Sequence, residues 1–350
     1  MAGLLLATWI VVLSALGLSF AQANEPLSFE SCADLRQHLD GLEPGAEVRL
    51  APATYECREP INPAVDGLTI DFGGSVVRVA DHALRPGILV GDLYTPPARR
   101  HKNITVRNVR VEGNRANQAF ECWGGPCDPQ RNDSPYWAQR LNGITVNGCD
   151  DCALIDVSIA GARSGGVVVV SSNRLLVDGL EAQGSHFDGL AGYWTRNSVF
   201  RNVRVHNNDY AGFSFDLDFS DNLIEDFESR DNRDHGMFIR LASGNSFVRG
   251  RFSDNHKNGV YFDRAHADRP GTCASGTQFE AVTVRGSGLF GAWLNFACEG
   301  NRFQGSQLVD NASGCFGGRE AGLIGRSEDT ACIGPQPEQT VEAETRPERS

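Results

Sequence analysis

Residues 188–216 read "DGLAGYWTRNSVFRNVRVHNNDYAGFSFD" and begin and end on the same short pattern. Gly189 precedes Leu-Ala-Gly, Gly212 precedes Phe-Ser-Phe, and between them "NSVFRNVRV" alternates polar and apolar residues. The pattern recurs as "NGITV", "GGVVV", "HGMFI", "NGVYF", "FGAWL" and "SGCFG". The glycines are Gly143, Gly166, Gly189, Gly212, Gly236, Gly259, Gly291 and Gly314, at spacings of 23, 23, 23, 24, 23, 32 and 23 residues. The long step contains "HADRPGTCAS", a loop insertion. A second strand keeps the same register, in "NITVRNVRV", "CALIDVSI", "NRLLVDGL", "NLIEDFES", "NSFVRGRF", "TQFEAVTV" and "NRFQGSQLV".

Such units are too short for a strand-helix-strand crossover and too rich in β-branched residues for a helical repeat. An antiparallel sandwich would not hold so constant a period. The expected fold is therefore all-β, a single-stranded right-handed parallel β-helix whose coils stack on their neighbours. "SCADLRQHLDGL" (31–42), with Ser31 as N-cap, predicts a short amphipathic helix covering the first open coil.

The first residues carry an apolar run ending in Ala21-Gln22-Ala23, which predicts a signal peptide over 1–23 and a secreted or periplasmic chain. The solenoid is expected over 24–332, with 119–140 as a protruding loop and 333–350 as a disordered, apolar-poor tail. No later apolar run can span a bilayer. In an oxidising compartment the ten cysteines pair, and their spacing suggests Cys32–Cys57, Cys122–Cys127, Cys149–Cys152, Cys273–Cys298 and Cys315–Cys332. Cys149 and Cys152 imitate a metal-binding C-x-x-C, but no second such pair accompanies them.

A net charge of -12 argues against nucleic acid as a partner and against anionic membranes. Residues 230–269 nevertheless hold eight Lys/Arg against five Asp and no Glu. A basic stretch in an acidic protein suits an anionic substrate.

Strand alternation sends positions +1 and +3 after each glycine inward, and +2 and +4 outward. The outward +4 column reads Asn147, Val170, Tyr193, Asp216, Arg240, Asp263, Asn295, and the +2 column Thr145, Val168, Ala191, Ser214, Phe238, Tyr261, Trp293. With coils roughly 4.8 Å apart, Tyr193, Asp216, Arg240 and Asp263 form one ladder beside Tyr261 and Trp293, with Asp218 flanking it. His235 stands just before Gly236, where parity gives no direction. Solvated sheet faces are polar by default, and an Asp-Arg-Asp ladder can be plain charge pairing worth roughly a few tenths of a kcal/mol per pair. Acid, cation and aromatic residues converging on consecutive coils favour a site, since aromatics beside carboxylates suit sugar rings.

With these residues in view, the chain resembles the β-helical mannuronan C-5 epimerases of alginate-making bacteria and, more broadly, the pectate-lyase-like carbohydrate-active β-helices. The resemblance covers roughly residues 104–270 and rests on "VEGNRANQ" (111–118), "DHGMFIR" (234–240) and "NGVYFDR" (258–264). It implies that Arg240 neutralises a uronate carboxylate and that His235 lies near the reacting sugar. The periplasmic epimerases carry Asp-Pro-His-Asp one coil earlier; here that place is "DLDF" (216–219), so Asp218 stands where the family has histidine.

The expected activity is C-5 epimerisation of a polyuronate such as mannuronan or alginate, with His235, Arg240, Asp216 and Tyr193 catalytic. Asp218, Asp263, Arg264, Tyr261, Trp293, Asp188 and Arg115 are assigned to substrate binding. The same residues suit a polysaccharide lyase, and Asp216, Asp218 and Asp263 could serve an inverting glycoside hydrolase; a non-catalytic glycan-binding module is the remaining class. No metal or cofactor is assigned. Calcium is compatible with acidic sugars, but the Gly-Gly-x-Gly-x-Asp loop repeat does not occur. The expected partner is an acidic polysaccharide, and the expected state a monomer.

Overall fold

The computed structural model describes residues 25–83, 85–118, 140–263, 272–296 and 299–335. The expected leader, most of the 119–140 loop, Arg264, Cys122, Cys127, Cys298 and residues 336–350 lie outside these.

Every strand pairing is parallel, and the chain winds as a solenoid. One nine-stranded sheet stacks Ile88–Gly91, Ile144–Asn147, Val167–Val170, Leu190–Tyr193, Phe213–Asp216, Met237–Ile239, Val260–Phe262, Phe290–Leu294 and Gly314–Gly317 in chain order. The longer strands, such as Leu176–Gln183, Val199–His206 and Leu223–Arg230, stack in register as the second wall. Each bends where one residue adopts a left-handed conformation: Asn108, Asp156, Gly179, Asn202 and Asp226, at φ 52° to 74°. Asn, Asp and Gly are the residues that tolerate that region.

Each column glycine from Gly143 to Gly291 faces a carbonyl oxygen of the next coil. A Cβ on Gly166 would stand 2.5 Å from the Gly189 carbonyl oxygen, and one on Gly236 or Gly259 would stand 2.6 or 2.7 Å from the oxygen of Gly259 or Gly291. Close backbone approach between coils therefore fixes the repeat. The column gains Gly87 at its front, whose Cβ would meet the Gly143 oxygen at 3.1 Å. At the other end the expected alignment slips by one: Phe290 pairs with Gly314 and Ala292 with Phe316, and the oxygen facing Gly291 is that of Cys315. The insertion of one residue there turns Phe316 inward against buried Phe303, 5.7 Å away.

The core follows the predicted parity. Ile144, Val167, Leu190, Phe213, Met237, Val260 and Ala292 are fully buried, as are their partners two residues on. Stacked rings line it, with Phe215–Phe219 centroids 4.1 Å apart and Phe279–Phe303 4.3 Å apart. At the turn preceding each site strand an asparagine ladder satisfies buried backbone: Asn232 Oδ1 accepts from Asn208 N and Nδ2, and Asn255 Oδ1 from Asn232 N and Nδ2.

The expected helix forms at Cys32–Asp40, with Asp34 N donating to Ser31 Oγ and Leu35 and Leu39 buried on the first coil. Disulfides join Cys32–Cys57, Cys149–Cys152 and Cys315–Cys332, and Cys273 is also disulfide-bonded. The last strand, Ala331–Ile333, extends one residue past the expected end of the solenoid at 332.

If close approach dictates the glycines, Gly166→Ala costs about 1–3 kcal/mol through overpacking, read from the denaturant midpoint. Gly322→Ala, where nothing stands within 4 Å, leaves the midpoint unchanged. An unaltered Gly166→Ala protein contradicts the explanation.

Candidate active site

The nine-stranded sheet presents the two outward columns side by side. Tyr193 pairs with Asp216, Ser214 with Phe238, Phe238 with Tyr261, and Tyr261 with Trp293. The ladder continues past the strand ends, since Arg240 N donates to Phe215 O, Asp263 N to Ile239 O and Asn295 N to Phe262 O. Tyr193, Asp216, Arg240 and Asp263 thus stand on consecutive coils of one face.

Arg240 is the centre of the cluster. Its Nε donates to Asp216 Oδ2 at 2.9 Å, Nη2 reaches the same oxygen, and Nη1 lies 3.9 Å from Asp263 Oδ2. Burial works against its charge, yet the hydrogen bond and charge of Asp216, with Asp263 behind, leave its pKa raised. The Arg240 side chain keeps about a quarter of its surface open, and its Cζ lies 5.5 Å from the centroid of the Phe238 ring.

Two phenols lie to either side along the stack. Burial, then the negative charges of Asp188 and Asp216, push the Tyr193 phenol far up, only partly opposed by Arg140 and a hydrogen bond to Ser214. Tyr193 is therefore a phenol that holds its proton. Tyr261 Oη donates to Asp263 Oδ1 at 3.1 Å and accepts from Asn295 Nδ2 at 3.4 Å. Trp293, one coil further, packs on Phe290 with centroids 5.0 Å apart.

His235 faces outward and stacks flat on Tyr261, at 4.3 Å and 2°. Its Nδ1 accepts the Asn258 backbone N–H, and its Nε2 stands 3.2 Å from Asp234 Oδ1, which Lys257 Nζ also approaches at 3.2 Å. Only 4% of its surface is exposed, and the stacked imidazole braces the Tyr261 ring.

Other expected residues fall differently. Asp218 leaves the ladder because the strand ends at Asp216, and Leu217 and Asp218 both turn left-handed, at φ 47° and 65°, which ends the alternation. Asp188 borders the face, with Oδ1 accepting Ala211 N. Arg115 joins a separate cluster: it pairs with Asp209 and donates to Gly184 O, while His186 Nδ1 and Arg233 Nη1 each lie 3.2 Å from Asp209. The sequence reading missed His186, Asp209 and Arg233, which share position -3 of the repeat and become visible once the columns are read backwards through the turn. It also missed Arg140, buried at the site's edge, and Trp194.

Among the described residues no group of three or more His, Cys, Asp or Glu side chains could hold a metal ion. No described helix is long and apolar enough to cross a membrane.

Fold and face together define a parallel β-helix with an arginine–carboxylate–phenol cluster on one wall. The family described as "Right handed beta helix region" matches residues 142–308, which fixes the hand of the coil. Among solved structures, the chain is similar to the A-module of the Azotobacter vinelandii mannuronan C-5 epimerase AlgE4, with a TM-score of 0.57 and 15% identity over 89% of this chain and 95% of that one. The AlgE6 A-module of the same organism gives 0.52 and 15% over 84% and 70%. The enzymatically active domain of tailspike protein 2 of bacteriophage CBA120 gives 0.51 and 12% over 86% and 44%. No curated protein sequence matches the chain. The resemblance read from the sequence thus holds at the level of the fold.

The His186 cluster yields a titration. Burial first, then Arg163 and Arg115, hold its pKa below 6.5 despite Asp209. Its NMR titration midpoint should lie below that value and rise in Arg115→Ala. Because the folded pKa is depressed, the unfolded chain takes the proton first as pH falls through 6.5, so this group's share of stability is intact above that pH and is lost below it. A midpoint at or above 6.5 contradicts the assignment.

Proposed function

We propose that the protein is a carbohydrate-active enzyme of an exported compartment that epimerises C-5 of a polyuronate such as mannuronan. The observation that carries this reading is a partly exposed arginine side chain, Arg240, with a phenol on each side along the stack, Tyr193 and Tyr261. Abstraction of the proton beside a uronate carboxylate needs that carboxylate neutralised, and inversion needs a proton acceptor on one face of the sugar and a donor on the other.

Arg240 supplies the neutralising charge through the N–H groups that Asp216 leaves unused. The C-5 proton passes to the Tyr261 oxygen as the Tyr261 proton passes to Asp263 Oδ1, 3.1 Å away. Tyr193, whose phenol is kept protonated by burial, returns a proton to C-5 from the other side. Solvent exchange then restores Tyr193 and Asp263. Asp216 holds Arg240 in place, and His235 holds the Tyr261 ring. The disulfides support export, and the two epimerase A-modules with the same fold support the substrate class.

A lyase would use the same neutralised carboxylate but eliminate the glycosidic oxygen. An inverting hydrolase is less suited, since Asp216 and Asp263 both flank Arg240 and the protonated groups are phenols. Incubation with polymannuronate, alginate and polygalacturonate, read by NMR, separates these outcomes: altered C-5 configuration without cleavage supports the proposal, an unsaturated uronate marks a lyase, new saturated reducing ends mark a hydrolase, and unchanged polymer with retained binding marks a binding module.

Arg240→Ala should lower turnover about a hundredfold to a thousandfold, the usual cost of losing one charge-stabilising donor. Arg240→Lys should recover only part of it, because the forked geometry is lost. Tyr193→Phe should leave KM unchanged and abolish turnover. Full activity in Arg240→Ala overturns the mechanism.

A further inference from the structure

The outward face is open on one side of Arg240 and closed on the other. On the N-terminal side Val168, Val170, Ala191 and Tyr193 point away from the core, yet none is more than 7% exposed, and they form an apolar cluster outside the solenoid. Trp194 and Leu217 pack on that cluster. Both stand in the turn directly after a site strand, with φ of 47°, where the equivalent residue two coils before Trp194 is Gly148 at φ 63°. Large apolar side chains rarely adopt this conformation, and strain of that kind persists where the surroundings enforce it. Here it turns two bulky groups back over the face. From Arg240's own coil onward the outward positions stay partly exposed and become aromatic: Phe238, Tyr261 and Trp293 on successive coils, with Phe290 beside Trp293.

Resting on the polyuronate reading, we propose that the substrate lies along the solenoid axis with its reacting terminal sugar at Arg240, in reach of Tyr193 at the edge of the closed cluster, and the rest of the polymer only on the C-terminal side, so that the enzyme works on a chain end and not on internal sugars. The apolar plug built on Trp194 and Leu217 stops the polymer one to two coils, roughly 5–10 Å, beyond the reacting sugar. Phe238 and Tyr261 border the reacting sugar, and Trp293 with Phe290 carries the sugars that follow. The spacing of one ring per coil from Phe238 to Trp293 gives each sugar face an aromatic partner.

The test uses an oligomannuronate long enough to span the open coils, prepared in two forms with a bulky neutral group on either the reducing or the non-reducing end. Binding is measured by calorimetry, independently of turnover. One capped form should bind at least about tenfold more weakly than the uncapped oligomer, a difference well resolved in Kd, and the other should bind equally well. Equal binding of both forms overturns the one-sided groove. Trp194→Asn with Leu217→Asn keeps a residue type that tolerates the left-handed turn and removes the plug; the folded double variant should regain the rejected form. A folded double variant that still rejects it shows that these side chains do not close the groove. Trp293→Ala should raise KM for the long oligomer by roughly two- to tenfold, the strength of one aromatic contact, with kcat unchanged.

In turnover, NMR time courses should show the terminal sugar altered first, and shearing a fixed mass of polymer should raise the initial rate in proportion to the number of ends. Internal sugars altered from the start overturn the chain-end mode. End-selective binding without any turnover removes the epimerase reading and leaves the one-sided groove standing. Failure of the uncapped oligomer and of both capped forms to bind removes both.

Discussion

The structure depends on how closely one coil can lie against the next. At the start of the site strands the next coil's carbonyl oxygen lies only 2.5–3.1 Å from where a Cβ would be, so glycine is the residue that lets the coils stack in register. That contact sets the period of the chain, and the period sets everything outward of it. Because each strand starts from a glycine held against its neighbour, the second and fourth residues after it fall into straight outward columns. Arginine, two aspartates and two tyrosines far apart in sequence thereby become neighbours.

The same rigidity shapes the chemistry. Arg240 is desolvated, and Asp216 offsets that cost by accepting from two of its nitrogens. The pair is fixed before any ligand arrives, which is the condition under which a charge stabilises a reacting carboxylate most effectively. His235 illustrates a supporting role: buried, with Nδ1 accepting a backbone N–H, it stacks on Tyr261, whose hydroxyl donates to Asp263.

The parts of the site legible in the sequence are those governed by strand parity. Tyr193, Asp216, Arg240, Asp263, Tyr261 and Trp293 could be placed on one face because alternation holds between each glycine and its fourth successor. Parity failed wherever the chain turned. It gave no direction for His235, and it extended the alternation to Asp218, beside the ladder, across two left-handed residues that end it. Gly314 lost its column because one extra residue precedes the last coil. Arg115 was assigned to the groove from a local motif, but its partner Asp209 is 94 residues away, a contact only the stacking reveals. The burial of Val168 and Val170 was equally invisible, since alternation says which way a side chain points and not what lies on top of it.

The central claim is that Arg240 is the group that receives an anionic sugar. The most direct measurement follows the Nε–H resonance of Arg240, assigned through Arg240→Lys, while an oligomannuronate is titrated in. The account predicts a saturable shift of this resonance with the oligouronate and none with a neutral oligosaccharide of the same length. A saturable shift of other arginines, with Arg240 unmoved, would contradict it.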